Sequence, residues 1–304
     1  MRSIYLFPLL FLCLTLNSQT PGGQMYFADV DVFNNPGPGQ GVVRYLSCGD
    51  IDITAAITME AWVRFAIPTD NQKIMGKVDA NGGAFFDDGY LLGVNNSRIN
   101  PEIWTPTNQQ FTEGFIPPVS IWHHIAVTYA VGGDYKAYLD GNLVYEQAAG
   151  GTNIVNDNTD FIIGIAPWDL SSFMSFGSMD EIRLWEVART EEEIRYGMFR
   201  NLSGVENGLV LYMNFDNDDG SPTIPDLSAA NHDCSKNNMD ATNFIESDCV
   251  IGNAATQMMH ELAGIWFASN AFLQDPRVVE TNNGLSLSAQ FNGQDTSAYV
   301  VWGH

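Results

Sequence analysis

From about Gln24 to Leu227 the chain is written in short runs whose apolar and polar residues alternate with a period of two, each run broken by Gly, Asn, Asp or Pro. Thr58 to Phe65, His124 to Tyr129, Lys136 to Leu139, Phe161 to Ile165 and Leu209 to Phe215 show it best. Period two sends successive side chains to opposite faces of a strand, and many short strands at this spacing predict an antiparallel sandwich or jelly roll. Asp140-Gly141, between Tyr138-Leu139 and Leu143-Val144, predicts a type I′ hairpin, whose two turn residues both need positive φ. One helix is expected. Thr190 and Glu193 form a capping box opening Glu191 to Phe199, with acidic residues in the first turn where they suit the helix dipole.

The two ends of the chain read differently. Residues 1–20 have the form of a signal peptide: Arg2, then an apolar run from Ile4 to Leu16 that is too short to span a bilayer, then polar Asn17 to Thr20. A secreted or cell-surface protein is therefore expected, without membrane insertion. Removing the leader takes Cys13 with it and leaves Cys48, Cys234 and Cys249. Cys234 and Cys249 bracket a short polar loop and are expected to pair, which would contribute roughly 3 kcal/mol. Cys48 is then left as a buried thiol at a strand end. Residues 24–228 carry the alternating pattern, and 229–262 read as a polar connector. In 263–304 aromatics return (Trp266, Phe272, Phe291, Tyr299), and this reads as a partial, truncated β module with a strand at Ser297 to Trp302.

Composition decides what such a sandwich can meet. Asp and Glu number 36 against 13 Lys and Arg, a formal net charge of −23, yet charged residues are only 16% of the chain. The exterior is thus acidic and rich in amides and hydroxyls. It repels phosphate backbones and anionic lipid surfaces, which argues against nucleic acid and membranes as partners. Calcium and neutral, hydroxyl-rich ligands such as glycans stay open.

Seven pieces of the chain, in order, carry a family resemblance. They are Tyr45 to Gly49, Ile57 to Val63, Trp122 to Tyr129, Lys136 to Gly141, Gly177 to Trp185, the Thr190 to Ile194 helix start, and Gly208 to Phe215. Together they resemble the laminin-G-like jelly roll of the concanavalin A-like lectin/glucanase superfamily, in a secreted bacterial surface protein. The resemblance implies an all-β, antiparallel two-sheet jelly-roll sandwich with one short helix.

Asp180 is the residue to single out for a metal. Alternation places Asp180, Ile182 and Leu184 on one face of a strand, and a buried carboxylate must be paired, hydrogen-bonded or metal-bound. The resemblance implies a structural Ca²⁺ at Asp180; a hydrogen-bonded carboxylate without metal is the alternative. For ligand contact, Trp104 and Trp168 lie beside prolines in apparent loops, where an exposed ring on a stiff loop suits sugar stacking. Asn95, Asn96, Asn108, Asp157 and Asn158 are the candidate polar partners; either ring could instead fold down as a lid on the sandwich edge.

Catalytic signatures are missing from the sequence. The Glu-x-Asp-x-x-Glu string that would flank a glycosidic bond with two carboxylates does not occur. His260-Glu261-Leu262-Ala263-Gly264 starts like a zinc-protease motif, but Gly264 stands where the second His is needed. No Gly-x-Ser-x-Gly is present. The expectation is a non-catalytic binding or adhesion module for glycan or an extracellular protein, stiffened by calcium. An accessory domain of a larger secreted hydrolase, or a structural spacer, are the alternatives.

Overall fold

The computed structural model describes residues 23–26, 43–65, 72–79, 88–95, 98–105, 109–111, 122–170, 177–216, 218–247, 249, 273–281, 284–291 and 294–301. The first strands are β1 (Gly23–Tyr26), β2 (Tyr45–Ser47), β3 (Ala56–Phe65), β4 (Gln72–Lys77), β5 (Tyr90–Asn95), β6 (Arg98–Ile99), β7 (Glu102–Trp104) and β8 (Gln109–Phe111). There follow β9 (His123–Ala130), β10 (Asp134–Leu139), β11 (Asn142–Ala148), β12 (Ile162–Ile163), β13 (Gly177–Trp185) and helix α1 (Glu191–Gly197). The last are β14 (Leu209–Met213), β15 (Thr223–Ile224), β16 (Cys234–Asn237), β17 (Phe244–Glu246), β18 (Leu273–Thr281), β19 (Gly284–Phe291) and β20 (Gln294–Val301).

Two antiparallel sheets make the sandwich. The first runs β11-β10-β9-β3-β13-β1-β17, with β14 paired to β13; the second runs β15-β16-β2-β12-β4-β5-β7-β8, with β6 beside β5. Their inner faces share one core. Met59, Ala61 and Val63 of β3, Ile125, Val127 and Tyr129 of β9, and Ile182 and Leu184 of β13 meet Leu46 of β2, Tyr90, Leu92 and Val94 of β5, and Ile163 of β12. These are the alternating positions of each run, so the period-two pattern selects the inward face as expected. Strands β18, β19 and β20 form a third, three-stranded antiparallel sheet.

The local signals are realised in detail. Asp140 and Gly141 take φ of 49° and 72°, the positive pair that the β10–β11 hairpin requires. Thr190 Oγ1 accepts from the Glu193 amide at 3.2 Å, and Glu193 Oε2 accepts from the Thr190 amide at 2.8 Å, closing the capping box of α1. Ile194 of α1 then packs on Ala126 and Tyr138, so the helix covers part of the outer face of the first sheet.

Beneath that cover the first sheet buries charge. Glu60 is fully enclosed, with Oε1 accepting from Trp185 Nε1 at 2.9 Å and from Arg189 Nη1 at 2.7 Å. Arg183, equally buried, donates to Glu181 Oε2 at 2.5 Å and to the carbonyls of Gly197 and Arg200 at 3.0 and 2.5 Å. Burial pulls the His124 imidazole down to about 4; Glu60, 3.6 Å away, favours the charged form, but desolvation outweighs it and nearby Arg183 adds to the effect. This network ties β3, β13, α1 and the turn after it into one unit.

Three expectations are corrected. The Asp180 side of β13 does not alternate through to Leu184, because the register against β3 slips between Asp180 and Arg183 and Glu181 sits at φ 51°. This bulge leaves Met179, Ile182 and Leu184 in the core and puts Asp180 across from Trp62, on the other face. The segment 229–262 is not merely a connector. It supplies β16 to the second sheet and β17 to the first, where they pair with β2 and β1.

The third correction concerns the disulfide. Cys234 pairs with Cys48 and not with Cys249, because β16 lies directly against β2 and brings their Cα atoms to 4.0 Å. Cys249 is instead a buried thiol packed beside Trp62 and Met198. Closing a loop of 186 residues contributes about 5 kcal/mol in the chain-entropy account, against roughly 3 for the short loop. The signal-peptide reading of 1–20 falls outside the described residues.

Candidate functional site

Helix α1 caps part of the outer face of the first sheet, whereas the outer face of the second carries a cleft. Alternation in β2 sends Leu46 inward and Tyr45 and Ser47 outward; in β16, Cys234 goes inward and Ser235 and Asn237 outward; in β12, Ile163 goes inward and Ile162 outward. Strand pairing aligns them in rows, Ser47 with Ser235 on one side and Ile162 on the other, and Tyr45 with Asn237. These five side chains floor a cleft of about 440 Å³. Its walls are Thr159 and Asp160 from the turn before β12, and Pro167 and Leu170 from the segment after it.

Each wall is held by identifiable contacts. Asp157 Oδ1 accepts from the Thr159 amide at 2.9 Å and from Thr159 Oγ1 at 2.6 Å, which fixes the turn. The turn is tied to the end of β2 by Phe161 N to Gly49 O at 2.7 Å and Cys48 N to Phe161 O at 3.0 Å. Ser47 Oγ donates to Asp160 Oδ2 at 2.5 Å, so floor and wall are joined inside the cleft. Behind the floor stands the Cys48–Cys234 disulfide, linking the two strands that supply four of the lining residues. The opposite wall is anchored by Trp168, which packs on Val78, Leu91 and Trp104 and has Lys73 Nζ 5.6 Å from its ring centre.

Chemically the cleft offers one aromatic surface, Tyr45, apolar edges from Ile162, Pro167 and Leu170, and hydrogen-bonding groups from Ser47, Thr159, Asp160, Ser235 and Asn237. Apolar patches flanked by side-chain hydroxyls, an amide and a carboxylate suit a ligand with a hydroxyl-rich edge and a C–H face.

The residues singled out from sequence fare unevenly. Trp104 is no loop aromatic: it closes β7 with 3% of its surface exposed, and is corrected from ligand contact to support for the cleft wall. Trp168 is half-buried against it, so the two rings are brought together, one on top of the other's cluster. Asp157 and the exposed Asn158 belong to the turn that carries Thr159 and Asp160 into the cleft. Asn95 ends β5 opposite Arg98, and Asn96 and Asn108 fall outside the described residues. Tyr45, Ser47, Asp160, Ser235 and Asn237 were not singled out; Tyr45 and Ser47 lie in the Tyr45 to Gly49 run, whereas Ser235 and Asn237 fall in the stretch read as a polar connector.

Asp180 is buried and fully engaged. Its Oδ1 accepts from the Glu181 amide at 2.8 Å and its Oδ2 from Ser247 Oγ at 2.8 Å. Burial pushes its carboxyl well above the usual range, and the neighbouring charges of Glu181 and Asp216 push the same way. Among the described residues, no three His, Cys, Asp or Glu side chains converge into a set able to hold a metal ion.

A family model described as the concanavalin A-like lectin/glucanases superfamily matches residues 39–195. Among solved structures, a putative carbohydrate binding protein from Bacteroides ovatus superposes with a TM-score of 0.54 at 21% identity, covering 77% of this chain and 62% of that one. The chain thus spans under two thirds of that protein's length. Domains LG4-5 of the mouse laminin alpha1 chain give a TM-score of 0.38 at 12% identity, over 61% of this chain and 48% of theirs. The CBM40 of Ruminococcus gnavus IT-sialidase, solved with α2,3-sialyllactose, gives 0.39 at 12% identity, over 59% of this chain and 93% of its own. No curated protein sequence matches this chain.

Proposed function

The chain belongs to the concanavalin A-like lectin/glucanases superfamily, and from that premise we propose that it is a non-catalytic module that binds carbohydrate in the cleft on the outer face of the second sheet. The observation that carries this reading is the cleft itself, where Tyr45 and five hydrogen-bonding side chains converge on a volume of about 440 Å³ braced from behind by a disulfide. A rigid floor matters because a sugar presents weak, shared hydrogen bonds, and affinity then depends on not having to order the site on binding. Tyr45 supplies a face for the apolar side of a pyranose, while Ser47, Asp160, Ser235 and Asn237 meet its hydroxyls.

Two further elements belong to the same reading. Export to an oxidising compartment is supported by the disulfide, since such bonds persist outside the cytosol. A calcium ion at Asp180 is supported by the convergence of like charge, because Glu181 and Asp216 both act on the buried Asp180 carboxyl and a divalent cation would offset that repulsion. The Asp180 carboxylate would then supply a side-chain oxygen, and the ion would stiffen the fold.

The cleft reading is tested on an immobilised panel of plant, fungal and host glycans, comparing the wild type with Tyr45→Ala. Binding of at least one glycan that is lost in Tyr45→Ala, with unchanged thermal unfolding, supports it; binding that Tyr45→Ala leaves intact moves the site elsewhere. Calcium is tested by unfolding with calcium, with EDTA and after re-addition. A saturating ion at 100 times its Kd stabilises by about 2.7 kcal/mol, and Asp180→Ala abolishes the shift.

A further inference from the structure

We infer that Asp160 makes the cleft selective for neutral glycans over acidic ones. The inference rests on the cleft being the carbohydrate site, and it goes beyond that reading by naming the ligand class and the residue that sets it. Of the nine described residues lining the cleft, Asp160 is the one that carries charge; the others are Tyr45, Ile162, Pro167, Leu170, and the neutral polar Ser47, Thr159, Ser235 and Asn237. Among the described residues, no Lys, Arg or His lines the cleft to meet a sialic acid, a uronate or a sulfate. An acidic sugar would bring its charge directly against the exposed Asp160 carboxylate, a close-range repulsion that weakens as salt rises.

The same carboxylate favours a neutral sugar. Ser47 Oγ donates to Asp160 Oδ2 at 2.5 Å and so fixes the carboxylate's orientation. A carboxylate has about four lone-pair sites on two oxygens, so with one contact made it still accepts from sugar hydroxyls, and a pair of adjacent hydroxyls is the matching donor set. Hydrogen bonds to a charged acceptor are roughly twice as strong as neutral ones. One residue therefore attracts a diol and repels an anion. The net charge of −23 acts in the same direction at long range, within the limit set by salt.

The experiment is isothermal titration with matched pairs, lactose against sialyllactose and soluble galactan against polygalacturonate, at low and high salt. Wild type and Asp160→Asn are compared, with thermal unfolding as the check that both are folded. The expected result is binding of a neutral member at least about tenfold tighter than its acidic partner, a gap that narrows as salt rises. Asp160→Asn is expected to weaken the neutral ligand by about tenfold and to shrink the gap, because the charge-assisted contact and the repulsion are removed together. Equal affinity for both members of a pair, or a gap unchanged in Asp160→Asn, overturns the selectivity while leaving the cleft as the glycan site. Binding that survives Asp160→Asn and Tyr45→Ala alike, or binding of no member, overturns both readings.

Discussion

Cys48 at the edge of β2 and Cys234 at the start of β16 are joined by a disulfide directly behind the floor of the cleft. The bond closes 186 residues of chain and stitches the segment after β15 to the front of the sandwich. Reducing it, or replacing Cys48 by Ser, is expected to lower stability by up to about 5 kcal/mol in guanidinium unfolding. Peptide mapping without reductant should recover the Cys48 and Cys234 peptides cross-linked, with Cys249 alkylated separately; a Cys234–Cys249 cross-link would contradict the assignment.

Buried Glu60 shows what holds the first sheet and its helix together. It faces Arg189, Arg183 and the Trp185 indole at once, and burial alone would raise its pKa, yet these partners hold it below the usual carboxylate value. Glu60→Ala leaves the fully buried Arg183 with one fewer counter-charge, and is expected to cost about 3–5 kcal/mol. Glu60→Gln keeps the Trp185 contact and should cost less. Chemical denaturation of both variants checks the order.

The His124 imidazole sets a pH dependence with a definite sign. Its folded pKa of about 4 lies below the ordinary 6.5, so between those values the unfolded chain binds the proton and the folded chain does not. The contribution is fully present above about pH 6.5 and is lost as pH falls toward 4, at a slope approaching 1.4 kcal/mol per unit. His124→Phe should flatten that part of the stability profile. An unchanged slope from pH 6.5 to 4.5 would show that His124 is not buried neutral.

Trp104 and Trp168 separate support from contact. Trp104→Ala opens a hole under the cleft wall and is expected to cost about 3–5 kcal/mol, with Trp168→Ala costing less because that ring is only half-buried. Both should weaken glycan binding by loosening Pro167 and Leu170. Tyr45→Ala should weaken it without comparable loss of stability, and thermal unfolding alongside binding isotherms distinguishes the two kinds of effect.

Much of this architecture was legible in the sequence because strand periodicity is local. The β3, β9, β10 and β14 runs declare their inward faces, and the Asp140-Gly141 turn and the Thr190/Glu193 box need only a few residues to specify them. What stayed hidden depends on pairing across the chain. The bulge at Glu181 arises where β13 meets β3, so strict alternation misplaces Asp180. The Cys48–Cys234 bond needs β16 beside β2, a neighbour far away in sequence.

The cleft was missed for the same reason. Tyr45, Asp160 and Asn237 are individually ordinary strand and turn residues, and only the sheet brings them together. Of the conspicuous tryptophans, Trp104 is enclosed, and Trp168 packs half-buried on the same cluster.

The most direct measurement is amide chemical-shift mapping of the isotopically labelled chain as a bound glycan from the panel is titrated in. The account predicts that saturable shifts cluster at Tyr45, Ser47, Thr159, Asp160, Ser235 and Asn237, with smaller changes at Trp168 and none at the β10–β11 hairpin. Shifts centred on that hairpin or on α1, with the cleft amides unmoved, would contradict the cleft as the binding site.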